Sequence, residues 1–274
     1  MSKIELSQLF IYPVKSLAGI ALSSSEITPA GLLSDRRWMI VNKNGQFISQ
    51  RLYPELSLLR TSIDNDRIVL TAPDNQQISL PVALMDGLLL PVKVWNDTVN
   101  GLLADQVSNN WITTYLGTEA KFIYMPETTI RPVDPDYAKS STDQVSFADG
   151  FPYLLISESS LHDLNGRLAK NNIPAVPMTR FRPNLVVRGC PAYNEDLWTD
   201  FKIANNYFHG VKPCSRCIMT TVDPDTGKKG EQPLKTLMEY RKQGNKAYFG
   251  QNVLINQQYT NSLQLRLGDE ITIF

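Results

Sequence analysis

Short runs in which apolar and polar residues alternate dominate the chain, and they predict strands. In "KIELSQLFIY" the apolar positions are Ile4, Leu6, Leu9 and Ile11, alternating with one interruption. "RWMIV", "RIVL", "QQISL" and "LPVKVW" are further β-prone runs, separated by Asn, Asp, Gly and Pro turns. Their spacing over roughly the first hundred residues predicts a small β-barrel or sandwich. "LADQVSNNWITTYLG" instead carries Val107, Trp111 and Tyr115 at helical spacing. Ile112 and Leu116 widen that face, and Gly117 is placed to stop the helix.

Residues 125–150, "MPETTIRPVDPDYAKSSTDQVSFADG", are rich in Pro, Asp, Ser and Thr and predict a long loop near a domain boundary. Beyond it, "FPYLLIS" and "NLVVRG" predict strands. "SESSLHDLNGRLAK" predicts a helix capped by Ser157, with Leu161, Leu164 and Leu168 on one side. "FKIANNYFHGV" predicts a hairpin turning at Asn205–Asn206. "QPLKTLMEYRKQG" predicts a short helix with Pro233 near its first turn, and "LQLRLGDEITIF" a closing ribbon around Gly268–Asp269. The fold class is mainly β with some helices, an α+β chain of two β-rich units.

At 274 residues the chain is long enough for one large or two moderate domains, each with its own core. Lys plus Arg number 27 and so do Asp plus Glu, giving a formal net charge of zero. That balance argues against a general nucleic-acid binder, which needs an excess of cations to displace counterions. The N-terminus shows no secretory h-region. The most apolar segment, "VALMDGLLLPVKVW", is too short and too interrupted to span a bilayer. Three cysteines cannot make a complete disulfide framework, so a reducing, cytoplasmic location is expected.

Two of those cysteines lie close together in "VKPCSRCIMTTVDPDTG", residues 211–227. Zinc is one reading, since Cys214 and Cys217 have the spacing of half a tetrahedral site, but no second close pair exists. The zinc-deaminase signature needs a catalytic Glu two residues after a His or Cys. None follows His162, Cys190 or His209 at that offset. A thioredoxin-like couple needs a helix after the pair, whereas "IMTTVDPDTG" predicts a strand and a turn. A single reactive thiolate remains open, with Lys212 and Arg216 nearby to favour ionisation; so does a pair of buried packing residues.

Several further stretches occur in one order: "LFIYPVKS", "SDRRW", "FADGFPYLLISESSLHDLN", "FRPNLVV", "CSRCIMTTVDPDTG" and "FGQN". Together they resemble the MOSC family, named for the C-terminal domain of molybdenum cofactor sulfurase. The likeness is strongest to the branch of the amidoxime-reducing components and hydroxylaminopurine-resistance proteins. The resemblance implies an N-terminal β-barrel domain over residues 1–120 and a MOSC β-barrel domain over 121–274. It also implies a molybdenum–molybdopterin cofactor, with Cys217 as the thiolate on the metal and Cys214 a bystander. By the same likeness, Lys15, Ser16, Arg36, Arg182, Asn184, Ser215, Arg216 and Asn252 match cofactor-binding positions, and Asp149 matches an active-site aspartate that could relay a proton. "VDPDTG" is expected to be a structural turn.

The activity implied is reduction of small N-hydroxylated compounds: hydroxylaminopurine, amidoximes and hydroxylamines. Some relatives carry a ferredoxin-like domain, a membrane anchor or a pyridoxal-phosphate domain, for which this sequence has no counterpart. Electrons are then expected from a separate protein of ferredoxin, flavoprotein reductase or cytochrome type. The alternative is a carrier that holds cofactor, or a persulfide on Cys217, without turnover. Neither nucleic acid nor membrane is expected as a partner.

Overall fold

The computed structural model describes residues 3–258 and 264–274. Three α-helices, α1 (Gln106–Leu116), α2 (Glu158–Lys170) and α3 (Leu234–Tyr240), accompany sheets of nine, four, three and three strands among the described residues. The protein is therefore mainly β.

In the nine-stranded sheet, Tyr153–Ser157 runs parallel to Leu185–Arg188. Parallel neighbours need a crossover connection, and α2 supplies it. Its start is fixed by Ser157, whose Oγ accepts the Ser160 N–H at 3.1 Å. Glu158 lies in the first turn and Arg167 and Lys170 in the last, which complements the helix dipole. The first strand, Glu5–Ile11, pairs antiparallel with Leu185–Arg188, so the N-terminus is woven into this sheet.

Both faces of that sheet are covered, and period-2 alternation sorts the side chains between two cores. Leu9, Leu155, Leu185 and Val187 meet Phe201 and Phe208 on one side. Phe10, Ile156 and Val186 face Leu164, Leu168 and Leu237 from α2 and α3 on the other. The four-stranded sheet, built from Trp38–Asn42, Leu89–Val94, Asp97–Leu103 and Ala120–Tyr124, repeats the device. Trp38 and Ile40 enter one core, and Met39 and Val41 enter the other. This explains why "RWMIV" is a continuous apolar run.

Four local expectations are corrected. In α1 the buried residues are Ser108, Asn109, Ile112 and Leu116, while Val107 is 70% exposed. Asn109 turns the helix inward because its amide donates to the Ala104 carbonyl and accepts the Phe122 N–H. The hairpin turn is Ala204–Asn205, since Asn206 already pairs with Ile203. Asn206 is buried, and its Nδ2 donates to the Gln264 carbonyl at 3.1 Å, so it serves the sheet.

The closing segment is not a ribbon. Gln264–Arg266 pairs with Ser24–Thr28 and Ile271–Ile273 with Asp200–Ile203, in two different sheets; Leu263 lies outside the described residues. After Cys217 comes a single 3-10 turn, Ile218–Thr221, and not a strand. The turn after it is as expected: the Asp223 carboxylate accepts the N–H groups of Asp225 and Thr226 at 3.0 Å each.

Candidate functional site

A cleft gathers all ten sequence-predicted residues: Lys15, Ser16, Arg36, Asp149, Arg182, Asn184, Ser215, Arg216, Cys217 and Asn252 line it. It holds about 130 Å³ for water-sized molecules, and about 810 Å³ when its open mouth is included. Segments far apart in sequence meet here: the stretch after Glu5–Ile11 lies beside the stretches that precede Leu185–Arg188 and Tyr153–Ser157, and the irregular end of Asn206–Arg216 reaches the same cleft.

The Cys-bearing wall is the end of the long strand Asn206–Arg216. Its pairing with Lys246–Ile255 slips between Gly210 and Lys212 and again between Pro213 and Ser215. Such irregularities bend a strand and re-aim its side chains. Cys217 follows directly and is exposed, Cys214 is half-buried, and both line the cleft, so neither is a buried packing residue. The buried cysteine is Cys190. Among the described residues no three His, Cys, Asp or Glu side chains are grouped to hold a metal, which removes the zinc reading there. Arg216 reaches Cys214 Sγ at 2.8 Å and the Phe181 carbonyl at 2.5 Å.

The cationic wall begins after the first strand. The Tyr12 N–H donates to the Asp35 carboxylate at 2.7 Å, and the other oxygen of Asp35, which is 1% exposed, accepts from Arg36. The Arg36 guanidinium also donates to Asn184 Oδ1 at 2.9 Å and to the Arg182 carbonyl at 3.1 Å. Asn184 completes the bracket: its Nδ2 donates to the Phe10 carbonyl at 3.2 Å and its Oδ1 accepts the Leu154 N–H at 3.3 Å. Its amide is thus committed to protein groups and acts on the cleft by holding Arg36.

Two guanidiniums lie over the Tyr12 ring, Arg36 at 4.4 Å and Arg182 at 4.1 Å from its centroid. Cations over an aromatic face are stabilised by its quadrupole. Burial pushes the Tyr12 phenol up to about 12, although both arginines oppose the shift. Burial likewise lowers Arg182 to about 10. Ser16, Arg36 and Arg182 all adopt left-handed backbone, with φ of 70°, 49° and 56°. Such strain in non-glycine residues gathers at functional sites, where the surrounding structure enforces it.

On the third wall Lys15 Nζ donates to Asp149 Oδ1 at 2.6 Å and to the Phe147 carbonyl at 2.7 Å. The Lys15 side chain is 6% exposed, whereas that of Asp149 is 62% exposed and opens onto the cleft. Burial lowers the Lys15 ammonium to about 8, partly offset by Asp149. Desolvation works against ionisation of Asp149, but Lys15 and Arg51 outweigh it and hold the carboxyl well below its usual range. Trp95 Nε1 also donates to Asp149 Oδ1, at 3.2 Å.

Sequence reasoning missed the supports of this site. Arg131, 3% exposed, donates to the carbonyls of Ser146 and Ala148 and, at 3.0 Å, of Asp149. It fixes the loop that carries the aspartate, and a lone Arg in a polar loop gives no signal of that. Arg51 and Arg180 line the cleft as well, and only Arg180, beside "FRPNLVV", stood near a marked motif.

Two donors point to a missing acceptor: Ser16 Oγ and Arg216 Nε are buried without a hydrogen-bond partner among the described residues. Unsatisfied buried polar atoms are rare and are satisfied by a ligand in many binding sites. The donor set, arginines, a lysine, a hydroxyl and an exposed thiol, fits a phosphorylated cofactor whose metal takes a thiolate ligand.

Residues 3–119 match the MOSC N-terminal beta barrel domain and residues 142–272 the MOSC domain. The chain is 34% identical to mitochondrial amidoxime-reducing component 1 of Homo sapiens, over 97% of this chain and 82% of that protein. It is 36% identical to mitochondrial amidoxime reducing component 2 of Bos taurus, over 86% of this chain and 72% of the relative. Molybdenum cofactor sulfurase of Oryza sativa subsp. japonica is 32% identical over 94% of this chain, which covers 33% of that longer protein.

Proposed function

This chain belongs to the MOSC family, and on that premise we propose that its cleft binds a molybdenum–molybdopterin cofactor and that it reduces N-hydroxylated compounds. Amidoximes, hydroxylamines and hydroxylaminopurine are the substrate class, and a separate electron-transfer protein is the donor. The observation that carries this reading is an exposed Cys217 thiol sharing one cleft with Arg36, Arg182, Arg216 and Lys15. When bound, the cofactor supplies two-electron chemistry at the metal.

The protein's own residues do the rest. Cys217, as thiolate, is the soft ligand. Arg36 and Arg182, oriented by Asp35, Asn184 and Tyr12, offer planar donors to phosphate or pterin oxygens. Ser16 Oγ and Arg216 Nε add donors without a hydrogen-bond partner among the described residues. The proton for a departing oxygen sits on Lys15, not on Asp149. The carboxyl is held ionised at neutral pH, while the ammonium near 8 is matched to proton transfer there. Asp149 keeps that proton available at Lys15 Nζ.

The test is to purify the chain from a host that makes molybdenum cofactor, then measure bound molybdenum and benzamidoxime reduction with a chemical reductant. About one molybdenum per chain with turnover is expected. Metal-free, inactive protein overturns the reading, and tight binding without turnover leaves the carrier role in its place.

A further inference from the structure

A second cavity, of about 570 Å³ on the water-sized measure, lies beside the cleft and shares Arg180, Arg182 and Met219 with it. The rest of its lining, Arg60 and Thr71 included, does not line the cleft. Its wall carries Arg60, Arg180 and Arg182 against one carboxylate, Asp225, with an apolar side that includes Pro73 and Pro177. Tyr12, 1% exposed, also lines it, and its hydroxyl has no hydrogen-bond partner among the described residues. The Cε1–Cδ1 edge of that ring lies against Gly19, where an added Cβ would come within 2.5 Å of Cε1 and 2.9 Å of Cδ1. Arg180, which lines both spaces, donates to the Thr220 carbonyl at 3.2 Å and to Asp223 at 3.0 Å, and its buried Nε has no partner among the described residues.

We infer that this cavity binds a small organic phosphate carrying a planar ring, of nucleoside monophosphate size. Guanidiniums match phosphate oxygens with paired, charge-assisted donors. The prolines and Met219 offer a flat, adaptable apolar surface to the ring. Volumes of several hundred Å³ with a few convergent polar groups are those of small-molecule sites. Arg182, which lines both spaces, and Tyr12, whose ring centroid is 4.1 Å from that guanidinium, join the site to the cleft.

The probe is adenosine 5′-monophosphate, titrated calorimetrically into the full chain, with adenosine and inorganic phosphate as comparisons. Arg60 is exposed and lines this cavity but not the cleft, and its cross-strand neighbour Thr71 lines it too. One equivalent of the nucleotide is expected to bind, with adenosine and phosphate each at least tenfold weaker. Arg60→Ala should weaken binding at least tenfold, Thr71→Trp should abolish it by filling the space, and Cys217→Ser should leave it unchanged. Absence of nucleotide binding overturns the inference, as does adenosine binding equally well or affinity lost in Cys217→Ser but kept in Arg60→Ala. None of these readouts needs molybdenum or reductase activity, so the assignment of the cleft can fail without touching them.

Discussion

Lys15 Nζ stands 2.6 Å from Asp149 Oδ1, joining a buried ammonium to a carboxylate that faces the cleft. The lysine follows the first strand, and the aspartate ends a long loop.

Activity should fall on the alkaline side near pH 8, as Lys15 loses its proton. Asp149→Asn removes the charge that raises the lysine value, so the alkaline limb should move to lower pH. The maximum of kcat/KM for benzamidoxime should drop by about 100-fold, the scale of general acid–base catalysis. An unchanged alkaline limb in the variant would show that Lys15 is not the proton source.

In cofactor-free protein the same pair shapes stability. Lys15 falls from 10.5 to about 8 on folding, so between those values the unfolded chain binds more protons than the folded one. Stability should therefore rise with pH across that window, by up to about 3 kcal/mol. Asp149 is also shifted down, from its ordinary 3.8, so its contribution is present above that value and lost as pH falls below it. Denaturant unfolding of wild type and Lys15→Met from pH 7 to 11 checks this; the variant should lack the rise.

Cys217→Ser should abolish molybdenum retention and turnover while circular dichroism stays unchanged, because the residue is exposed and supports no core. Cys214→Ser should keep most of both. Equal losses in metal analysis would mean that the two roles are misassigned.

Tyr12→Leu should cost cofactor occupancy. It removes the ring that the Arg36 and Arg182 guanidiniums lie over, contacts of about 1–2 kcal/mol each when desolvated. Tyr12→Phe preserves the ring and should purify with wild-type molybdenum content.

Gly250 has φ +83°, and an added Cβ would sit 2.6 Å from Ile156 Cγ1 and 2.8 Å from the Leu155 carbonyl oxygen. Gly250→Ala should therefore destabilise the chain by about 2–4 kcal/mol, through strain and overpacking. Calorimetry should show Tm lower by roughly 5–10 °C.

What was legible in the sequence was whatever local chemistry encodes. Alternation placed a strand at Glu5–Ile11 and a β-prone apolar run one at Trp38–Asn42, and Ser157 and Gly117 marked helix ends at their cap positions. Ordered motifs marked ten residues that line one cleft. Misreadings arose where tertiary partners overrule local pattern. Val107 matched a helical stripe, yet the amide of Asn109 turned the other face inward. Asn206 looked like a turn residue, yet a carbonyl fifty-eight positions away claimed its side chain.

The strand periods, the helix caps and the identity of the chemical groups belong to the sequence alone, because they depend on neighbours a few residues apart. Which charges are quenched and which are poised was decided only in three dimensions. Asn184 is spent on Arg36, Arg131 pins the loop that bears Asp149, and burial lowers the Lys15 ammonium while the carboxylate beside it opens to the cleft. Desolvation and hydrogen-bond geometry come from groups brought together across the whole chain, and no spacing along the backbone records them.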